Sequence, residues 1–108
     1  MAKVSVPAAI ELWDTEVNFG IKGPGSIAAR NIAPAEGAGW LATTYLDNVT
    51  LGIARSYWYF WAPSDGRVGV VTYDGTPAAT AFATIERWIA NAFYSCARGA
   101  NGAANTCQ

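Results

Sequence analysis

Five consecutive aromatic residues, Tyr57-Trp58-Tyr59-Phe60-Trp61, follow Ala54-Arg55-Ser56 and run into Ala62-Pro63-Ser64-Asp65-Gly66. A strand alternates its side chains between two faces, so a run that is aromatic at every position cannot keep one face polar. It predicts a strand covered on both sides, as in a parallel sheet, closed by turn chemistry at Pro63 to Gly66. Two other segments have the pattern of helices.

From about Glu36 to Gly52 the apolar residues recur at helical spacing, with Leu41, Tyr45 and Val49 on one stripe, Leu46 and Ile53 beside it, and Gly52 suited to the helix end. A second helix is predicted from Thr76, as N-cap, with Pro77 in the first turn where its missing N–H does no harm. It is expected to run to about Tyr94, with Ala78, Phe82, Ile85, Ile89 and Phe93 as core stripe and Glu86 and Arg87 outside. Before the first helix, Ala9 to Phe19 reads as a strand that Gly20 ends, and residues 20–37, rich in Gly, Pro and Ala, read as an irregular loop and a candidate site rim. Val68 to Tyr73 is a further β-like stretch, ended by Asp74-Gly75 turn chemistry. Two βα units in tandem predict a single α/β domain over residues 1–108 with a parallel strand pair, followed by a cysteine-bearing tail at 95–108.

Composition narrows the function. Seven Lys and Arg against eight Asp and Glu, spread thinly, give no basic stripe for nucleic acid or an anionic membrane surface. The apolar runs fall well short of the roughly 20 residues needed to cross a bilayer. The chain has no histidine, which removes the commonest general base, the Ser-His-Asp arrangement and most catalytic zinc sites, so carboxylates must carry any acid–base chemistry. No metal or cofactor is expected: Gly20-Ile21-Lys22-Gly23-Pro24-Gly25 lacks both dinucleotide spacing and a phosphate-binding Gly-Lys-Ser/Thr. Five Trp, five Tyr and four Phe are hard to hide in so small a core, which leaves some of them for a ligand or another chain.

Cys96 and Cys107, with ten residues between them, suggest a local disulfide over the alternative of two free thiols. Such a loop stabilises by about 2 to 3 kcal/mol in the chain-entropy model and would place the protein in an oxidising compartment, secreted or periplasmic. Met1-Ala2-Lys3-Val4-Ser5 has no apolar core of an export signal.

The strongest functional signal is Trp13-Asp14-Thr15-Glu16-Val17-Asn18-Phe19-Gly20, which sets a Glu at the C-terminal end of a predicted strand, before a long loop. Thr15-Glu16-Val17-Asn18 resembles the seventh-strand end of clan A glycoside hydrolases, where a Thr-Glu pair presents the nucleophilic carboxylate. Tyr57-Trp58-Tyr59-Phe60-Trp61-Ala62-Pro63 resembles the eighth strand of that clan, and Gly75-Thr76-Pro77-Ala78-Ala79 with Thr84-Ile85-Glu86-Arg87-Trp88-Ile89 is similar to the start of the eighth helix in secreted bacterial members. The resemblance covers about residues 8–108 and corresponds to the last quarter of a (β/α)8 barrel. It implies a retaining hydrolase of O-glycosidic bonds with Glu16 as nucleophile and Trp61 as sugar platform, with Trp13, Asn18 and Tyr59 as further carbohydrate-binding candidates. Against these stand plainer roles: a strand-end carboxylate for Glu16, core packing for Trp58 and Tyr59, a strand end for Asn18 and a structural charge for Arg55.

The family's second carboxylate comes from an Asn-Glu pair on the fourth strand, which has no counterpart here. Asp14 points away from Thr15, and Glu11 lies about 16 Å from Glu16 by strand rise. A partial barrel cannot satisfy its own sheet edges or cover both faces of its strands, so the chain is expected to associate with copies of itself, as a dimer or a tetramer of eight strands, or with a missing remainder. The alternative function is a non-catalytic carbohydrate-binding or structural module, which needs no second carboxylate.

Overall fold

A computed structural model describes residues 10–25, 30–63, 66–90, 96–97 and 106–107. The order is β1 (Trp13–Val17), α1 (Pro34–Thr50), β2 (Arg55–Trp58), α2 (Pro77–Ile89), then the short strands β3 (Cys96–Ala97) and β4 (Thr106–Cys107). β1 and β2 pair in parallel, so this is a small α/β domain of two βα units, and β3 and β4 form a separate antiparallel pair.

Both helices start at proline. Pro34 opens α1 without a side-chain cap, whereas Thr76 caps α2 by accepting the Ala79 N–H at 3.2 Å. The helices pack on each other and on one side of the sheet around Ile32, Leu41, Val70 and Ala78, with Phe19, Trp40, Tyr45, Trp58, Ala81 and Phe82 closing the edge of this core. Tyr45 meets Phe82 edge-on at 5.4 Å between ring centres. The stripe read for α2 lies as expected, with Ala78 and Ile85 buried and Glu86 and Arg87 exposed, but the helix stops at Ile89 because Ala90 turns to extended backbone. Phe93 and Tyr94 lie outside the described residues.

Three expectations change. β2 is half the predicted length and covered on one side only, since Arg55 and Tyr57 are exposed while Ser56 and Trp58 turn inward. The ladder ends because Asn18 takes the carbonyl of Tyr59, the residue whose N–H makes the last strand bond, to Val17 O at 2.8 Å; the Tyr59–Phe60 peptide is cis. Residues 68–73 form no strand of their own. Thr72 makes single bridges to Trp61 and Ala62, and Val70 pairs with a side chain instead of a strand.

That side chain is Asn18. Its Nδ2 donates to the carbonyls of Tyr59 and Val70, the latter at 3.0 Å. Its Oδ1 accepts the N–H of Val70 at 3.2 Å and of Phe19 at 2.7 Å. One amide therefore stands in for a strand partner, joining the end of β1 to β2 and to the 68–70 segment. Gly69 passes so close beneath Phe19 and Arg30 that a β-carbon there would overlap both backbone carbonyls.

Asn18→Ala should remove these bonds and leave Val70's peptide partly unsatisfied, costing about 2 to 4 kcal/mol in urea unfolding. Asn18→Asp should not restore the loss, because a carboxylate facing two carbonyl oxygens has no proton to give. Equal stability of wild type and Asn18→Ala would contradict the bridging role.

Candidate functional site

The strand register decides which side chains share a surface. Trp13 pairs with Arg55, Asp14 with Ser56 and Val17 with Trp58, so β1 advances three residues while β2 advances two. Thr15 and Glu16 together oppose Tyr57, a two-against-one bulge of the kind that re-aims a side chain.

Asp14 and Ser56 face α1. Asp14 Oδ2 accepts from Asn48 Nδ2 at 3.0 Å and from Ser56 Oγ at 3.3 Å, and Asn48 Nδ2 also donates to Ser56 Oγ at 2.8 Å. Beyond the bulge, Trp58 points to the same layer, where its Nε1 donates to the fully buried Thr72 Oγ1 at 2.8 Å. The alternation leaves Trp13, Thr15, Glu16, Arg55 and Tyr57 on the other face, and all five are exposed. Trp13 retains 50% and Tyr57 47% of their accessible surface, far more than a strand needs to expose.

Trp13 is held from both sides. The Arg55 guanidinium lies 4.7 Å from its ring centre, and its Nε1 donates to Glu11 Oε2 at 3.1 Å. Glu11 is thereby engaged at the far end of β1, and Asp14 lies beneath the sheet. Neither accompanies Glu16, and a retaining glycosidase needs two carboxyls about 5 to 5.5 Å apart.

The remaining candidates fall elsewhere. Trp61 lies on the helix layer, its ring edge-on to Phe82 of α2 at 5.7 Å, and it remains 48% exposed beside a groove of about 340 Å³. It is not brought to the face that carries Glu16. Tyr59 is half-buried with its ring 4.9 Å from that of Phe60, and Asn18 is engaged with backbone. The register sets Cys96 opposite Cys107, while the sulfur positions on which a disulfide depends lie outside the described residues.

Tyr57 and Arg55 were not read as binding residues from the sequence; their signal is parity on β2, hidden by neighbours that are aromatic on both faces. A second cavity, of about 330 Å³, lies where the N-termini of both helices meet, lined by Asn31, Tyr73 and Thr76 among mostly apolar groups. Among the described residues no cluster of three or more His, Cys, Asp or Glu could hold a metal ion, and no helix is long and apolar enough to cross a membrane.

No family model, curated protein or solved structure matches this chain. Its α/β character rests on its own elements.

Tyr45 links this polar cluster to the core. Burial raises its phenol above the ordinary 10.0; bonds to Ser56 and to the Trp58 backbone oppose the shift, and the charge of Asp14 adds to it. The neutral phenol is thus favoured in the folded state. Its contribution is fully present below pH 10 and is lost as pH rises through the higher folded value. Tyr45→Phe should therefore lose less stability than wild type between pH 9 and 11, by urea midpoints, and parallel losses would contradict this.

Proposed function

We propose that this chain is a glycoside hydrolase-related α/β module that presents the open face of its strand pair to carbohydrate. The observation that carries the reading is the bulge, which sets Glu16 on the same exposed face as Trp13, Tyr57 and Arg55. Sugars are recognised by such a mixture: ring C–H faces stack on aromatic side chains, and hydroxyls bond to carboxylate and guanidinium. Glu16 is the inherited nucleophile. Hydrolysis with retention requires a second carboxyl beside Glu16, and neither Glu11 nor Asp14 supplies it, since Glu11 accepts from Trp13 and Asp14 from Asn48.

A non-catalytic carbohydrate-binding role is the second reading, favoured by Glu11, the other carboxylate at this face among the described residues, being held by Trp13. Opposed cysteines in the β3–β4 register support a cross-strand disulfide and with it a secreted or periplasmic setting.

The test is calorimetric titration with a panel of β-linked oligosaccharides. Trp13→Ala and Tyr57→Ala should each weaken binding about ten-fold, the loss of one stacking contact with its buried area. Glu16→Gln should leave binding within about three-fold and abolish any hydrolysis that wild type shows. Absence of binding across the panel, or hydrolysis unchanged in Glu16→Gln, would overturn the respective reading.

A further inference from the structure

Trp13 is exposed yet held. An indole on a strand face open to water is ordinarily free to turn about its side-chain bonds, and a ligand that stacks on it must first arrest that motion. Here two neighbours arrest it in advance. Arg55 stands directly opposite Trp13 in the parallel register and lays its guanidinium carbon 4.7 Å from the ring centre, over one ring face. Glu11, two residues earlier in the chain, accepts the indole N–H at Oε2, 3.1 Å away.

The two contacts restrain different motions of the ring. The bond at Nε1 pins one edge but leaves the ring free to swing about it. The guanidinium over the face blocks that swing on its side. Together they also limit what the ring can offer a ligand. One face lies under Arg55 and the N–H is already donated to Glu11, which leaves the opposite face, a flat apolar surface without a donor. Such a surface fits the C–H face of an uncharged pyranose, with no hydrogen bond from the indole.

We infer that Arg55 and Glu11 are positioning residues that fix the Trp13 ring as a stacking platform for a pyranose. The inference rests on the carbohydrate reading of the open face and narrows it: Arg55 acts on the sugar through the ring of Trp13.

Two readouts on the full chain test this, and the first needs no ligand. In proton magnetic resonance spectra of wild type, the Arg55 side-chain CH2 signals should be displaced upfield by the Trp13 ring current and return to ordinary positions in Trp13→Ala. The Trp13 Nε1–H, identified by its loss in Trp13→Phe, should exchange with water faster in Glu11→Ala than in wild type. Glu11→Gln, which keeps an acceptor oxygen, should restore the slower exchange. The second readout is calorimetric titration with β-linked oligosaccharides. Arg55→Ala and Glu11→Ala should each weaken binding about two- to ten-fold, because the ring is then ordered only when the sugar arrives. Glu11→Gln should bring affinity back to within about two-fold of wild type, and in a Trp13→Ala background neither alanine substitution should change it by more than about two-fold. Ordinary Arg55 signals in wild type, unchanged affinity in both single variants, or losses as large without Trp13 as with it would overturn the inference. A wild type that binds no oligosaccharide yet keeps the ring-current displacement would sink the carbohydrate reading while upholding the hold on Trp13.

Discussion

The amide of Asn18 is the constraint on which this fold turns. Two parallel strands form a poor sheet alone, because each has one paired edge and the ladder between them is short. Asn18 extends it at its C-terminal end without adding a third strand, engaging Tyr59 O and both polar groups of the Val70 peptide. Val70 is thereby fixed against Gly37 of α1, whose missing side chain leaves room for the valine methyls at 3.1 Å from where a β-carbon would be. A single side chain thus couples the sheet to the helix layer through a buried residue of the core.

The surface chemistry follows from the same short ladder. With only three register pairs, one extra residue in β1 changes the face on which everything beyond it lies. The bulge keeps Asp14 and Val17 on the helix side and places both intervening residues outside. Glu16 therefore owes its exposure to backbone register, and Thr15 shares the same face. The polar bed beneath, Asp14 with Asn48 and Ser56, fixes the strand's position over α1 so that the bulge cannot slide. Function and fold meet at this point: the register that completes the helix-side contacts also assembles the open face of Trp13, Glu16, Arg55 and Tyr57.

Much of the backbone was legible in the sequence. Thr76-Pro77 marked the start of α2, and helical spacing marked Leu41 and Ile85 as buried, because caps and periodicity are local signals. The aromatic run was harder. Five large rings in a row read as burial on both sides, yet β2 ends at Trp58 and the chain then turns, so that Tyr57 faces solvent and Trp61 moves to α2. The bulge was not legible, because nothing in Asp14-Thr15-Glu16-Val17 distinguishes regular alternation from two residues opposing one. Asn18 was read as a strand end or a sugar ligand; its backbone bonds run to Tyr59 and Val70, 41 and 52 residues away, where no local pattern reaches.

The parallel pairing with its bulge is the claim from which the open face, the position of Glu16 and the placement of Asp14 all derive. Cross-strand nuclear Overhauser contacts in uniformly labelled protein test it most directly. Contacts are expected from Trp13 to Arg55, from Asp14 to Ser56 and from Val17 to Trp58, with Tyr57 close to both Thr15 and Glu16. Contacts running in the reverse order, Trp13 to Trp58 and Val17 to Arg55, would contradict it, as would a Tyr57 that meets only one of the two residues.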